Sequence, residues 1–276
     1  MTVEVLWKKF SLIDFWVYEE DFVHKNPTIL IVGVSVKERI NIMIYKLVST
    51  TESQVGKYID INGDGIPEGV IFADLAVGGK GKYEIAEYAK YKIPTIKEGL
   101  KDYVVIGEYN DKINGKQEIL SPILDGLDRF YIMALNDVSL HLHPMYATAY
   151  FKLIDNYKTL TSPVFGAGRQ NTLTMIEKWN NEEYGEKNRG SSPDLWGEIQ
   201  TLVNDGWFVS SCAEWSAFGD GLNLTKDNYS DKGLKIWYWT STLSGYKSAY
   251  AISPLLKSII PYDILNASCI RLARMF

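Results

Sequence analysis

Three groups of side chains have types and spacings that could do chemistry. The first is Asp60-x-Asn62-x-Asp64-Gly65, which sets oxygens at alternate positions and a glycine at the sharp turn, as the first half of a calcium loop does. The twelfth position of such a loop is Ile71 instead of a bidentate glutamate, and no flanking helices are evident. Asn-Gly and Asp-Gly pairs are also the chemistry of a β-hairpin turn, and Glu68 or Asp74 would complete an irregular cation site. The second group, His141 and His143, would share a face if the segment were a strand, as a metal pair requires; Pro144 points to a solvated loop. The third is the pair Cys212 and Cys269, too widely spaced for a zinc pattern or a disulfide-dense scaffold and read as two free thiols. There is no Gly-x-Ser-x-Gly elbow and no phosphate loop, so nucleophilic and nucleotide-dependent catalysis lack a starting residue. No cofactor is expected, a calcium ion at the acidic turn apart.

Composition narrows the class. At 276 residues, with 46% hydrophobic and 23% charged, the chain can bury a full core and is neither disordered nor fibrous. A net charge of -5 without a Lys/Arg cluster argues against a nucleic-acid partner, because phosphate neutralisation needs a basic face. Eight Trp and 18 Tyr supply large rigid contacts, in a core or in a binding surface. Met1-Thr2-Val3-Glu4 begins no classical signal peptide and no stretch reaches membrane-spanning length. If the protein works outside a cell, a virion or a cell surface is the expected location, reached without a classical leader.

The elements that would position these groups are strands, then helices, then strands, which argues α+β. Strand text runs over Thr28–Val34 and Asn41–Val48, giving a β-rich N-terminal segment to residue 55. Tyr58 to Leu75 reads as a hairpin turning at Asn62 to Gly65, Tyr103–Ile106 as a strand, and Arg129–Leu135 as a buried strand. One helix is expected from an Asn171 N-cap, with Leu173, Ile176 and Trp179 inward. A second is expected from Asp194, with Leu195, Ile199, Leu202 and Val203 inward, ending at Gly206. A third is announced by the capping-box spacing of Ser211 and Glu214, with Trp215, Phe218 and Leu222 inward.

Gly206-Trp207-Phe208-Val209-Ser210-Ser211-Cys212-Ala213-Glu214-Trp215 resembles the signature of the formylglycine-generating-enzyme-like, or sulfatase-modifying-factor, superfamily. Tyr238-Trp239-Thr240-Ser241-Thr242 resembles its Trp-Ser-Ser-Thr strand, and Ile270-Arg271-Leu272-Ala273 with Phe276 its closing strand. With Gly69–Asp74 and Asp128–Tyr131 the resemblance covers roughly residues 55 to 276. It implies a C-type-lectin fold: small twisted antiparallel sheets, two main helices and much irregular loop. Within the superfamily the chain is most similar to the variable proteins of diversity-generating retroelements, whose final strands and loops are rewritten by adenine-directed mutagenesis. That process yields many residue types at Asn-type codons but not Glu, Gln, Met, Trp or Lys. From Leu243 to Ser268 the sequence has no Glu, Gln, Met or Trp, and Lys only at Lys247 and Lys257.

The resemblance implies a ligand-display domain over 56–276 with a variable region at about 243–268. Ala251 to Leu265 is strongly apolar, matches neither period 2 nor period 3.6, and holds two prolines that bar it from a central strand. Tyr246, Tyr250, Ile252, Leu255, Leu256, Ile259, Ile260, Tyr262, Ile264 and Leu265 are accordingly expected to form one continuous binding face for a protein or cell-surface ligand. The framework is expected to rest on buried Trp207, Trp215 and Trp239 and to end in Arg271 and Phe276. Two alternatives stand beside this reading. One is a structural phage-tail or surface module without diversification. The other is a formylglycine-generating-enzyme-like oxidoreductase, for which Cys269 lacks the neighbouring cysteine that copper chemistry uses. The tripeptides of calcium-dependent sugar binding are not seen, and the oligomeric state is open.

Overall fold

The computed structural model describes residues 45–84, 86–123, 125–139, 141–145, 160–180, 195–245 and 247–276 in full, and residues 5–10, 13–19, 29–36 and 39–44 as strand backbone. It is a mixed α+β structure. Four strands, β1 (Val5–Phe10), β2 (Ile13–Glu19), β3 (Ile29–Val36) and β4 (Arg39–Leu47), form an antiparallel meander. The hairpin of β5 (Tyr58–Ile59) and β6 (Gly69–Asp74) follows, paired Tyr58↔Val70 and Ile59↔Gly69 around the expected turn. A small hairpin of β7 (Gly79–Lys82) and β8 (Lys90–Ile93) and a long one of β9 (Tyr103–Asp111) and β10 (Gly115–Pro122) precede β11 (Phe130–Ala134) and β12 (His143–Pro144). Next come α1 (Gly168–Asn180), α2 (Leu195–Asn204), β13 (Trp207–Val209) and α3 (Cys212–Gly221). The chain closes with β14 (Tyr238–Gly245), β15 (Ser248–Ser253), β16 (Ser258–Asp263), β17 (Ala267–Ser268) and β18 (Leu272–Met275).

The main sheet has the order β1-β2-β3-β4-β9-β10-β5-β6-β11-β18-β13, while β14-β15-β16 form a separate three-stranded sheet. Every pairing between these strands is antiparallel except that of β5 with β10, and the isolated bridges Leu100↔Leu127 and Tyr238↔Cys269 are also parallel. The last strand therefore returns between β11 and β13, directly behind the segment that leads into α3. Two buried arginines lock this return. Arg129 donates from Nε to Asp74 Oδ1 and from its terminal nitrogen to Oδ2, each at 2.9 Å. Arg271 donates from Nε to Asp137 at 2.8 Å and to the Gly233 carbonyl at 2.8 Å. Enclosing a guanidinium this far is offset by the acceptors its planar fork finds.

The helices follow their sequence signals unevenly. At α3 the expected capping box is complete, with the Ser211 hydroxyl accepting from the Glu214 N–H and the Glu214 carboxylate from the Ser211 N–H. Trp215, Phe218 and Leu222 are buried. In α2, Leu195 and Ile199 are buried and Leu202 and Val203 half-buried; the expected start at Asp194 lies outside the described residues. At α1 the expectation is corrected. The helix begins at Gly168, and Asn171 sits inside it, its amide donating to the Ser162 carbonyl at 2.8 Å and to Ser241 Oγ at 3.1 Å. The side chain that would have capped the helix ties it to the β14 sheet instead. Leu173 consequently faces solvent, while Met175 is buried.

The three-stranded sheet is the wedge between two cores. Along β15, residues opposite one another share a face. Tyr238, Ile252 and Ile259 stand in one row, and Trp239, Ala251 and Ile260 in the next. The first row enters the cluster built on Phe72, Trp215 and Phe218. Trp239 and Ala251 enter the cluster built on Met175, Trp196 and Ile199. Burying a side chain such as Ile252 contributes about 1.5–3 kcal/mol. Trp215 and Trp239 are fully buried, as expected for the framework, but Trp207 is only half-buried.

Candidate functional site

Ala251 to Leu265 folds into β15 and β16 around Pro254 to Lys257 and, as its sequence suggests, burial does not alternate along either strand: Ala251, Ile252 and Ser253 are buried in succession, and Ile260 and Pro261 are exposed in succession. Both faces of the sheet are also covered in part, which removes the polar half of the pattern. Pro254 lies in the turn. Pro261 lies on β16, an edge of the three-stranded order, where a missing N–H is tolerated.

Ten expected face residues are consequently divided. Ile252, Ile259 and Ile264 are buried at 1% exposure each and belong to the core, so a single continuous face made of all ten is not what the chain builds. Leu256 at 61%, Leu265 at 38% and Ile260 at 37% stand in solvent. Leu255, Tyr250 and Tyr262 are half-buried, and Tyr246 lies outside the described residues. Tyr262 stacks on Trp237 with ring centroids 5.6 Å apart and 6° between planes. Tyr250 packs at 4.3 Å on Tyr88, whose hydroxyl donates to the Ile259 carbonyl at 2.7 Å. A rim of exposed aliphatics and braced aromatics thus borders a rigid sheet. Trp237 and the exposed Ile236 adjoin it and were not among the expected residues; the aromatic run 237–239 was the signal for them.

Behind this sheet the framework holds one unusual carboxylate. Glu214 is fully enclosed and accepts from Ser211 N at 2.7 Å, Gly166 N at 3.1 Å and Gly168 N at 3.2 Å. Burial pushes its carboxyl up to about 7, against the pull of those N–H donors. Its place is structural: one side chain fastens the 166–168 turn to the start of α3.

Neither cysteine is placed for thiolate chemistry. Both are free and buried, and burial raises Cys212 to about 12 and Cys269 to about 11, whereas reactive cysteines are held low. Comparison with protein-family models, with curated proteins and with solved structures finds no match for this chain. Its function must be argued from its own residues.

The acidic turn supports both of its readings. Asp60 accepts from Gly63 N and Gly65 N at 2.6 Å each, and Glu68 from Ile61 N at 2.7 Å, which is how a polar hairpin turn satisfies itself. Asp60, Asp64 and Glu68 also bring carboxylate oxygens within 4.8 Å of one another, a donor set of the kind calcium takes. Asn62 Oδ1 accepts from Asp64 N at 2.9 Å. The histidines separate: His141 is exposed, whereas His143 is buried with Nε2 2.6 Å from Ser139 Oγ. No described helix is long and apolar enough to cross a membrane.

Proposed function

We propose that the chain is a ligand- or receptor-binding protein with a C-type-lectin fold, displaying a rim on β15, β16 and their connections that a retroelement diversifies. The observation that carries this reading is the contrast within residues 243–268. Leu256, Ile260 and Leu265 are exposed on a sheet whose other apolar side chains fill two cores. These three lie along β16 and at its two ends, and rigid aromatics such as Tyr262 and Tyr250 give contact area at little entropic cost. Missing Glu, Gln, Met and Trp between Leu243 and Ser268 accord with adenine-directed change. The partner is a protein or cell-surface ligand, met from a virion or a cell surface, and the role is binding without catalysis.

Sequencing the DNA beside the gene tests this. A near-copy of the segment encoding 243–268, differing at adenines, together with a reverse-transcriptase gene, is the expected result. A locus with neither would favour the structural-module alternative and remove the diversified reading.

A further inference from the structure

A cleft of about 470 Å³ opens between the β5–β6 turn and the edge of the main sheet, lined by Ile61, Asn62, Glu68, Asn204, Asp205, Trp207 and Arg274. It is shallow and open to solvent, with room for a small molecule held by its charged ends. Its walls come from distant parts of the chain: the acidic turn, the end of α2, and two neighbouring strands on which Trp207 and Arg274 stand directly opposite each other. Gly206, at φ 90°, leaves the side of Arg274 bare; a Cβ there would lie 3.5 Å from Nε. None of these residues belongs to the β14–β16 sheet, so the site is separate from the rim.

Arg274 distinguishes this cleft from ordinary surface. Arg129 and Arg271 each hold a carboxylate at 2.9 and 2.8 Å, whereas Arg274, half-buried, lies over the Phe276 ring at 5.6 Å. Among the described residues Arg274 makes no ion pair and no side-chain hydrogen bond, although Glu68 and Asp205 line the same cleft. Asp205 is likewise unpaired among them. A guanidinium fork that is partly desolvated and unmatched gains most from a carboxylate, which it grips with two parallel N–H···O bonds. A simple anion would meet repulsion from Glu68 and Asp205, and a simple cation would meet it from Arg274. A ligand carrying both charges satisfies both.

We propose that this cleft binds a small zwitterion of the α-amino-acid class, with its carboxylate on Arg274, its ammonium on Glu68 and Asp205, and its side chain against Trp207 and Ile61. The amides of Asn62 and Asn204 supply neutral donors and acceptors at the margin. A neutral polyol would use those amides but leave the three charges unmatched.

Isothermal titration of the full chain with L-phenylalanine and L-leucine tests the assignment, alongside hydrocinnamate, which lacks the ammonium, L-phenylalaninamide, which lacks the carboxylate, and glucose. Saturable binding of at least one amino acid is expected, with both truncated probes weaker by about tenfold or more. R274Q and D205N should each weaken the amino acid by a similar factor; D205N should melt like the parent, since no described side chain pairs with Asp205, and R274Q should stay folded with only the loss of its contact with Phe276. No binding of either amino acid, undiminished binding by R274Q, or glucose filling the site as well as the amino acids would overturn the proposal.

Discussion

Two regions a few residues apart in space use the same kinds of side chain in opposite ways. In the framework from Trp207 to Phe218, the Ser211–Glu214 box is closed, the carboxylate is held by three backbone N–H donors, and Trp215 packs edge-on against Phe218 at 5.5 Å and tilted against Tyr238 at 5.1 Å. On the β15–β16 rim, Ile260 and Leu256 hold nothing in place, although Ile252 and Ile259 on the same two strands are core. A sheet wedged between two cores is held by the buried side chains of both its faces, and single positions on its edge strand and turns are left exposed and open to change.

The largest effect that would break this contrast is at Trp215. Trp215→Ala should cost about 3–5 kcal/mol, since the indole is fully enclosed; a denaturant midpoint shifted by less than the equivalent of 1 kcal/mol would show the framework to be looser than described. Next comes the inward row. Ile259→Ala is expected to cost roughly 2–5 kcal/mol, measured in the same titration, and a loss no greater than that of an exposed position would erase the distinction within β16.

Glu214 sharpens the comparison through pH. Its folded carboxyl lies near 7 against an ordinary 4.5, so the folded state holds the proton more tightly. The contribution is full below about 4.5 and is lost as pH rises through 7, on the order of 3 kcal/mol for a group this enclosed. Parent stability relative to Glu214→Gln should fall between pH 5 and pH 8, followed by urea unfolding at each pH; a flat or rising difference would mean that the N–H donors outweigh burial. At the rim the expected effect is smallest. Leu256→Ser should change stability by no more than about 0.5 kcal/mol, and a larger loss in thermal unfolding would make the rim part of the core.

How far these regions could be read in the sequence depended on the range of the interactions. Ser211 and Glu214 speak to each other across one helical turn, and the Asn62–Gly65 turn closes on its own backbone, so both were legible. Asn171 carried an N-cap signal that its bonds to Ser162 and Ser241 overrode. The Ala251–Leu265 run concealed two strands because both faces meet core, so that no polar half marks either strand. Trp207 was read as buried framework from its motif, while Arg274 gave no signal. Their cleft is assembled from three separate segments and exists only once the last strand has returned beside β13.

The central claim is that the framework is fixed so that the rim can vary, and deep sequencing of this gene across a population of its carriers tests it most directly. Substitutions are expected to gather within 243–268 at exposed positions such as Leu256, Ile260 and Leu265. Ile252, Ile259, Ile264 and the 206–215 framework should stay constant. Substitutions spread evenly along the chain, or falling as often on the buried isoleucines as on the rim, would contradict it.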